Sequence, residues 1–427
     1  MKMNTIKITP SIIQGKISVP PSKSLCHRAI IAAGLANDNC NIENVVFSED
    51  ILATCSAMRG LGVSVTKGED NVIINGKNFS NRTQDEIDCA ESGSTLRFLI
   101  PIALLTGSEF TFTGSGRLAE RPLTPYYKMF KEQDIKYSSN DGLPLTVQGK
   151  LKAGVYKLPG DISSQFITGL LFALPLLKGN SKIIVTTELE SKAYVDLTID
   201  VLSKFSVHIE NLGYNEISIV GEQKYIAKDY RVEGDFSQAA FWLVAGILGG
   251  DIQCEDMNIN SLQGDKIIVD IIAKMGGNIS IEEGKIKVAK SKTHGVIIDA
   301  SECPDLVPIL AVLASLSKGT TEIINAGRLR IKECDRLKAM ATELTKLGGD
   351  VVETEDGLII HGKENLKGGT VDSYNDHRIA MALSVASIRC SQPVIITDSN
   401  CIKKSYPEFY KDFVMLGGKV NEWSLGQ

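Results

Sequence analysis

The basic residues of this chain gather where helices should begin. Pro20 to Arg28 reads Pro-Pro-Ser-Lys-Ser-Leu-Cys-His-Arg, after a short alternating strand, Lys16-Ile17-Ser18-Val19, and before the apolar run Ala29 to Leu35. A helix start leaves its first N–H groups unpaired and carries partial positive charge, so Ser22, Lys23, Ser24 and Arg28 together describe a seat for a phosphate or carboxylate. Further on, Lys332-Glu333-Cys334-Asp335-Arg336 is predicted to open another helix, continued by Leu337, Met340, Ala341 and Leu344 and ended by Gly348-Gly349. Lys332 and Arg336 would then share one face, a like-charge pair costing roughly a few tenths of a kcal/mol that an anionic ligand would reverse. Glu333 either pairs with Arg336 or serves as an acid–base group. Arg328 and Arg330 upstream thicken the positive field, and Asn375-Asp376-His377-Arg378 and Lys403-Lys404 add to it. The Asp-His neighbours suggest a triad only weakly, since no G-x-S-x-G accompanies them. The plainer alternative, capped helices with solvated basic residues, is countered by repetition of the arrangement.

That repetition defines the elements. A helix ending at Leu61-Gly62 is followed by Val63-Ser64-Val65, a polar turn and Val72-Ile73-Ile74, which reads as a hairpin. Equivalent first strands begin at Ile135, Val207, Ile279 and Val351, each 72 residues after the last, and a truncated copy ends at Lys419-Val420. Polar helix starts at Lys23, Gly93, Ser164, Ser237, Asp305 and Asp376 keep nearly the same beat. A second set falls at Asp50, Arg121, Lys192, Gly264, Glu333 and Lys404. The repeat is two helices and several short strands, the size of a small α/β subdomain and too long for an ordinary solenoid. Hairpins and helical crossovers together require mixed parallel and antiparallel pairing.

The 427 residues exceed what one core normally organises, so three copies per domain is the natural division. The expected domains are 21–232, and 1–20 with 233–427, with crossings near Pro20-Pro21 and within Ala227 to Gly234. A net charge of −5 argues against nucleic acid as the main partner while leaving room for a local basic cleft. Nine cysteines without a C-x-x-C pair and five histidines without a ligand cluster read as a reduced, cytoplasmic chain with no structural metal. Met1 to Pro10 lacks an apolar signal core, and the longest apolar runs, such as Phe166 to Leu177, are too short to span a bilayer.

Seven motifs together resemble one family, across nearly the whole chain. They are Pro-Ser-Lys-Ser at 21–24 with Arg28, Ser-Gly-Ser-Thr-Leu-Arg at 92–97, Glu-Arg-Pro at 120–122, Ser-Ser-Gln-Phe at 163–166, Ser-Lys-Ala-Tyr at 191–194, Ile-Lys-Glu-Cys-Asp-Arg at 331–336 and Asn-Asp-His-Arg at 375–378. The chain resembles the 5-enolpyruvylshikimate-3-phosphate synthases, or 3-phosphoshikimate 1-carboxyvinyltransferases. The resemblance implies two α/β domains, each of three β-α-β-α-β-β repeats in an inside-out α/β barrel, that close over the substrates. It implies transfer of the enolpyruvyl group of phosphoenolpyruvate to the 5-hydroxyl of shikimate 3-phosphate, with phosphate released through a tetrahedral adduct and no metal or organic cofactor. The expected state is a monomer, with no nucleic-acid or membrane partner.

The same resemblance implies residue roles. Lys23, Ser24, Arg28, Ser163, Ser164, Gln165, Ser191, Asp305 and Lys332 would hold shikimate 3-phosphate, and Lys23, Gly93, Arg121, Gln165, Glu333, Arg336, Arg378 and Lys404 would surround phosphoenolpyruvate. Asp305 is the expected base and Glu333 the proton donor to the methylene carbon, with Lys23 assisting. Gly93 would lie against phosphoenolpyruvate and the inhibitor glyphosate. Arg328 departs from the family pattern, which often has asparagine there, so it either binds the shikimate phosphate or turns away. From the residues alone Asp305 reads as an N-cap for Leu306 to Leu313. Cys334, beside Glu333, is expected to point away from Lys332 and Arg336. Two alternatives stand beside this reading: UDP-N-acetylglucosamine enolpyruvyl transferase, whose cysteine-bearing loop is missing from Gly114 to Pro122, and a non-catalytic anion-binding protein.

Overall fold

Every hairpin expected from the repeat forms an antiparallel pair: Ser64–Lys67 with Asn71–Asn75, Lys136–Ser139 with Leu145–Gln148, Ile209–Leu212 with Glu216–Ile219, Asn278–Glu282 with Gly284–Ala289, and Asp350–Glu353 with Leu358–His361. The computed structural model describes residues 5–423, so residues 1–4 and 424–427, the extremities of the second expected domain, lie outside the described residues. Each hairpin belongs to one of six four-stranded sheets of the same order. In one of them Val155–Leu158 runs parallel to Ser181–Val185, which pairs antiparallel with Glu216–Ile219 and through it with Ile209–Leu212. Burial alternates along the strands, as in Val155–Leu158, because one sheet face meets the core and the other meets water.

The sixth sheet is completed from the other end of the chain. Lys419–Trp423 pairs with Thr5–Thr9, which also pairs with Val394–Thr397. Two further strands are exchanged between copies. Gly15–Ser18 runs parallel to Ile252–Met257 in the fourth repeat, and Tyr230–Arg231 runs parallel to Asn39–Glu43 in the first. The chain accordingly divides into two compact units, Met1–Ser22 with Glu233–Gln427, and Lys23–Val232.

Within each unit the first helix of every repeat is apolar nearly all round, which drives it into the core rather than onto the surface. Phe236–Leu248, Val307–Ser315 and His377–Ala386 are almost wholly buried and pack against one another. In the other unit Gly93–Ala103 packs on Gln165–Ala173, and Lys23–Leu35 packs on Glu49–Gly60 and Lys192–Lys204. The first of these contacts depends on Gly169. A methyl there would come within 2.4 Å of both the Arg97 carbonyl oxygen and the Tyr126 hydroxyl. Each unit has its own apolar core, one around Trp242 and Phe409, the other around Phe98 and Phe172. Because the buried helices begin at polar residues, their N-termini carry the candidate side chains.

Candidate active site

In the Lys23–Val232 unit the helix Lys23–Leu35 opens on Lys23, whose Nζ lies 2.5 Å from Asp50 Oδ2 on the helix Glu49–Gly60. One turn on, Arg28 is buried. It donates from Nε to Thr198 Oγ1 at 2.9 Å, from Nη1 to the Ser24 carbonyl at 2.8 Å and from Nη2 to the Tyr194 carbonyl at 3.1 Å, and its guanidinium lies 5.2 Å from the Phe98 ring centre. These partners are uncharged, so burial pulls its pKa down to about 10, against the opposing pull of Tyr194. A buried cation met by neutral oxygens and rings is a place where an anion is welcome.

Gly93 opens the next buried helix, with Ser92 as its cap accepting from the Thr95 amide. A methyl on Gly93 would stand 3.1 Å from Arg121 Nη1 and 3.5 Å from both Arg97 Nη1 and Gln165 Oε1, so three groups converge on this backbone. Arg97 donates to Gln165 Oε1 at 2.7 Å, and Gln165 Nε2 donates to Ser94 Oγ at 3.0 Å, which fixes the orientation of the amide. Ser163 accepts from the Gln165 amide at 3.3 Å, and Ser164 occupies the cap of Gln165–Ala173 without bonding through its side chain. Ser191 caps Lys192–Lys204 in the left-handed region, φ 55, a conformation costly for a serine and typical of residues held for function.

In the other unit Asp305 is caged by cations. Its Oδ1 lies 2.9 Å from Arg336 Nη1 and 3.7 Å from Lys332 Nζ, and its Oδ2 lies 2.9 Å from Arg378 Nη2. Burial disfavours its charge, but Arg378, Lys332 and Arg336 outweigh that and hold the carboxyl well below the usual carboxylate range. Arg336 also reaches Glu333 Oε2 and Asp376 Oδ2, each at 2.7 Å. Burial opposes the charge of Arg336, yet the three acids raise its pKa further. A third of the Lys332 side chain meets solvent, 33%, but its ammonium sits in this cluster, and burial brings it down to about 8, with Asp305 opposing and Arg336 adding to the fall. Arg378 continues to Ser237 Oγ at 3.2 Å. Lys404 Nζ donates to the Asn375 carbonyl at 2.6 Å; Tyr374 and Asn375 are both left-handed, φ 54 and 53, and so turn the chain into the helix His377–Ala386.

Several expectations are corrected. The helix expected from Lys332 begins at Arg336, because Asp335 is its cap, accepting from the Lys338 amide, so Lys332 and Arg336 share no helical face. Asp305 is not the cap of the helix that follows; Leu306 holds that position, and the carboxylate goes to cations instead. Arg330 is drawn to Asp335 and Glu353, at 3.0 and 2.6 Å, and leaves the cluster. Arg328 donates to the Ser301 carbonyl. The Ser22 amide is used by the Glu233 carbonyl at 2.8 Å, so it is not part of the anion seat. Cys334 does not turn away: its Sγ lies 3.5 Å from Asp376 Oδ2, the oxygen that Arg336 Nε also holds. Arg97, absent from the expected set, was legible as the residue one helical turn beyond Gly93. Among the described residues no group of side chains could hold a metal ion, and no helix is long and apolar enough to cross a membrane.

Fold and charge placement define an α/β protein of six repeats whose buried helices deliver cations and paired carboxylates to their N-terminal ends. The family described as EPSP synthase (3-phosphoshikimate 1-carboxyvinyltransferase) matches residues 8–413. The chain is 60% identical to a 3-phosphoshikimate 1-carboxyvinyltransferase of Clostridium novyi and 57% identical to one of Clostridium kluyveri, with the whole of this chain and of each relative covered. It is similar in structure to an EPSP synthase from Acinetobacter baumannii, with a TM-score of 0.83 and 27% identity, over 99% of this chain and all of that one. The chain belongs to the EPSP synthase family.

Proposed function

We propose that the chain transfers the enolpyruvyl group of phosphoenolpyruvate to the 5-hydroxyl of shikimate 3-phosphate and releases phosphate. The observation that carries the residue assignment is the meeting of Asp305 and Glu333 on one buried arginine, Arg336, beside Arg378 and Lys332. Two acids and three cations around one point are what a reaction between two anions with proton transfers at both ends requires. In this reading Lys23, Ser24, Arg28, Ser163, Ser164, Gln165, Ser191, Arg328 and Lys332 serve shikimate 3-phosphate. Lys23, Gly93, Arg121, Gln165, Arg336, Arg378 and Lys404 serve phosphoenolpyruvate.

Asp305 takes the proton of the attacking hydroxyl and Glu333 gives one to the methylene carbon. Surrounded by Arg378, Lys332 and Arg336 alone, Asp305 is a poor base, since these cations hold it ionised. A substrate carboxylate on Arg336 and Arg378 draws those charges away and restores its basicity. Each charge-assisted hydrogen bond to a substrate oxygen contributes about 1.5–3 kcal/mol. The enzyme acts as a monomer in the cytoplasm, a reducing compartment that suits its nine free, buried cysteines.

The deciding experiment is phosphate release with phosphoenolpyruvate plus shikimate 3-phosphate, run beside phosphoenolpyruvate plus UDP-N-acetylglucosamine. Release with the first pair alone is expected. Release only with the sugar nucleotide, or with neither, refutes the proposal.

A further inference from the structure

A chain of four buried side chains links two of the helix starts in the Lys23–Val232 unit. His27 Nδ1 lies 2.7 Å from Thr54 Oγ1, Thr54 Oγ1 lies 2.6 Å from Thr95 Oγ1, and Thr95 Oγ1 donates to Ser92 Oγ at 2.7 Å. All four residues are fully buried. Counting protons gives the chain a direction. The Thr95 hydroxyl proton goes to Ser92, so the Thr95 oxygen accepts from Thr54, and the Thr54 oxygen in turn accepts from His27. His27 is therefore neutral with its proton on Nδ1, and its buried Nε2, which has no hydrogen-bond partner, keeps a lone pair. Burial, with Lys23 and Arg28 adding their charge, pushes the imidazole pKa well below its ordinary value and keeps the ring in that form.

A parallel contact shows what the chain positions. Lys23 and His27 stand four apart on one helix, Asp50 and Thr54 four apart on the next, and the pairs Lys23–Asp50 and His27–Thr54 lock the two faces over one turn. Thr54 then passes the constraint to Thr95 and to Ser92, the cap of the Gly93 helix. We propose that His27, acting through Thr54 and Thr95, is a positioning residue that holds the Lys23 helix start in register with the Gly93 helix start. It rests on the reading that Lys23 and Gly93 both serve phosphoenolpyruvate. Lys23 also serves shikimate 3-phosphate in that reading, but Arg28, a further shikimate 3-phosphate contact, is held by Thr198, Ser24 and Tyr194, outside this chain, so that substrate loses less than phosphoenolpyruvate, which draws on both helix starts.

The test uses two conservative and two disruptive variants. Asparagine can present an N–H where His27 Nδ1 stands, and serine keeps the hydroxyl of Thr54, whereas His27→Leu and Thr54→Val delete the bonds. His27→Asn and Thr54→Ser should stay within about twofold of wild type. His27→Leu and Thr54→Val should raise KM for phosphoenolpyruvate about tenfold, equivalent to about 1.4 kcal/mol, and weaken glyphosate in step, with KM for shikimate 3-phosphate, which shares Lys23 but not Gly93, rising by no more than about threefold. A mere loss of folded protein would lower kcat and leave both KM values alone, and that result, or an equal rise of both, overturns the proposal. So does failure of His27→Asn to behave as wild type. Nitrogen-15 NMR of the intact protein gives a readout independent of turnover: His27 should show the Nδ1–H tautomer without titration between pH 6 and 8. An Nε2–H form overturns the proposal even if the enzyme is active, whereas an inactive wild type with the Nδ1–H form refutes only the assigned reaction.

Discussion

Arg336→Met should unfold the unit that contains it before it can be judged as a binding variant. The guanidinium, 1% exposed, holds Asp376 and Glu333 at 2.7 Å and Asp305 at 2.9 Å. Removing one partner of a buried ion pair costs about 3–5 kcal/mol, because the remaining charge stays desolvated. Asp305 keeps Arg378 and Lys332, so the loss falls on Asp376 and Glu333. For a unit of about 200 residues, at about 2–4 °C per kcal/mol, the melting temperature should drop by about 6–20 °C. Both tryptophans of the chain, Trp242 and Trp423, belong to this unit, so tryptophan fluorescence during urea or thermal unfolding follows it alone.

The pH dependence has a definite sign. In wild type the cations depress the folded pKa of Asp305, so its stabilisation is complete above the unfolded carboxylate pKa and is lost as pH falls below it. In the variant Asp376 and Glu333 lose Arg336, and because acid discharges carboxylates, acidification relieves the loss. The deficit should therefore be larger at pH 8 than at pH 5. A loss under about 1 kcal/mol, or one that does not change with pH, would refute the reasoning.

Three other outcomes follow from the same geometry. Glu333→Gln should keep both KM values within a few-fold and reduce kcat at least about 100-fold; equal loss of binding would make Glu333 a partner of Arg336 and nothing more. Gly93→Ala places a methyl 3.1 Å from Arg121 Nη1, so the inhibition constant of glyphosate should rise more than KM for phosphoenolpyruvate, and equal glyphosate constants in both proteins would remove Gly93 from the site. Lys332, with its pKa brought down to about 8, is charged below that pH and neutral above it, so KM for shikimate 3-phosphate should climb above pH 8 in wild type but not in Lys332→Arg.

The sixfold beat was legible because every hairpin carries its apolar residues at the same phase, and a period of this kind survives any change in what the sheets pack against. Positions set by distant partners were not legible. Whether Asp305 caps a helix or meets Arg336, 31 residues later in sequence, depends on tertiary approach, and a local pattern offers only the cap. The start of the helix at Arg336 turned on Asp335, which has the right residue type for a cap but was hidden among stronger charges. The roles of His27, Thr54 and Thr95 were out of reach for a different reason. Each is an unremarkable residue on a buried face, and only the meeting of three helices makes them a chain.

The strand Thr5–Thr9 leaves the ribosome long before its partners, Val394–Thr397 and Lys419–Trp423. At about 5–20 residues per second it waits roughly 20–80 s for them. Gly15–Ser18 waits for Ile252–Met257. The Lys23–Val232 unit, by contrast, holds all its strands in one continuous stretch and can be complete while synthesis continues. During that interval two unpaired strands are carried in front of a finished unit, each short and each bearing a lysine, Lys7 and Lys16, of the kind that keeps edges from joining the wrong sheet. Pulsed proteolysis of stalled nascent chains should find the central stretch protected well before either leading strand, and replacing both lysines by valine should turn that waiting period into one of aggregation.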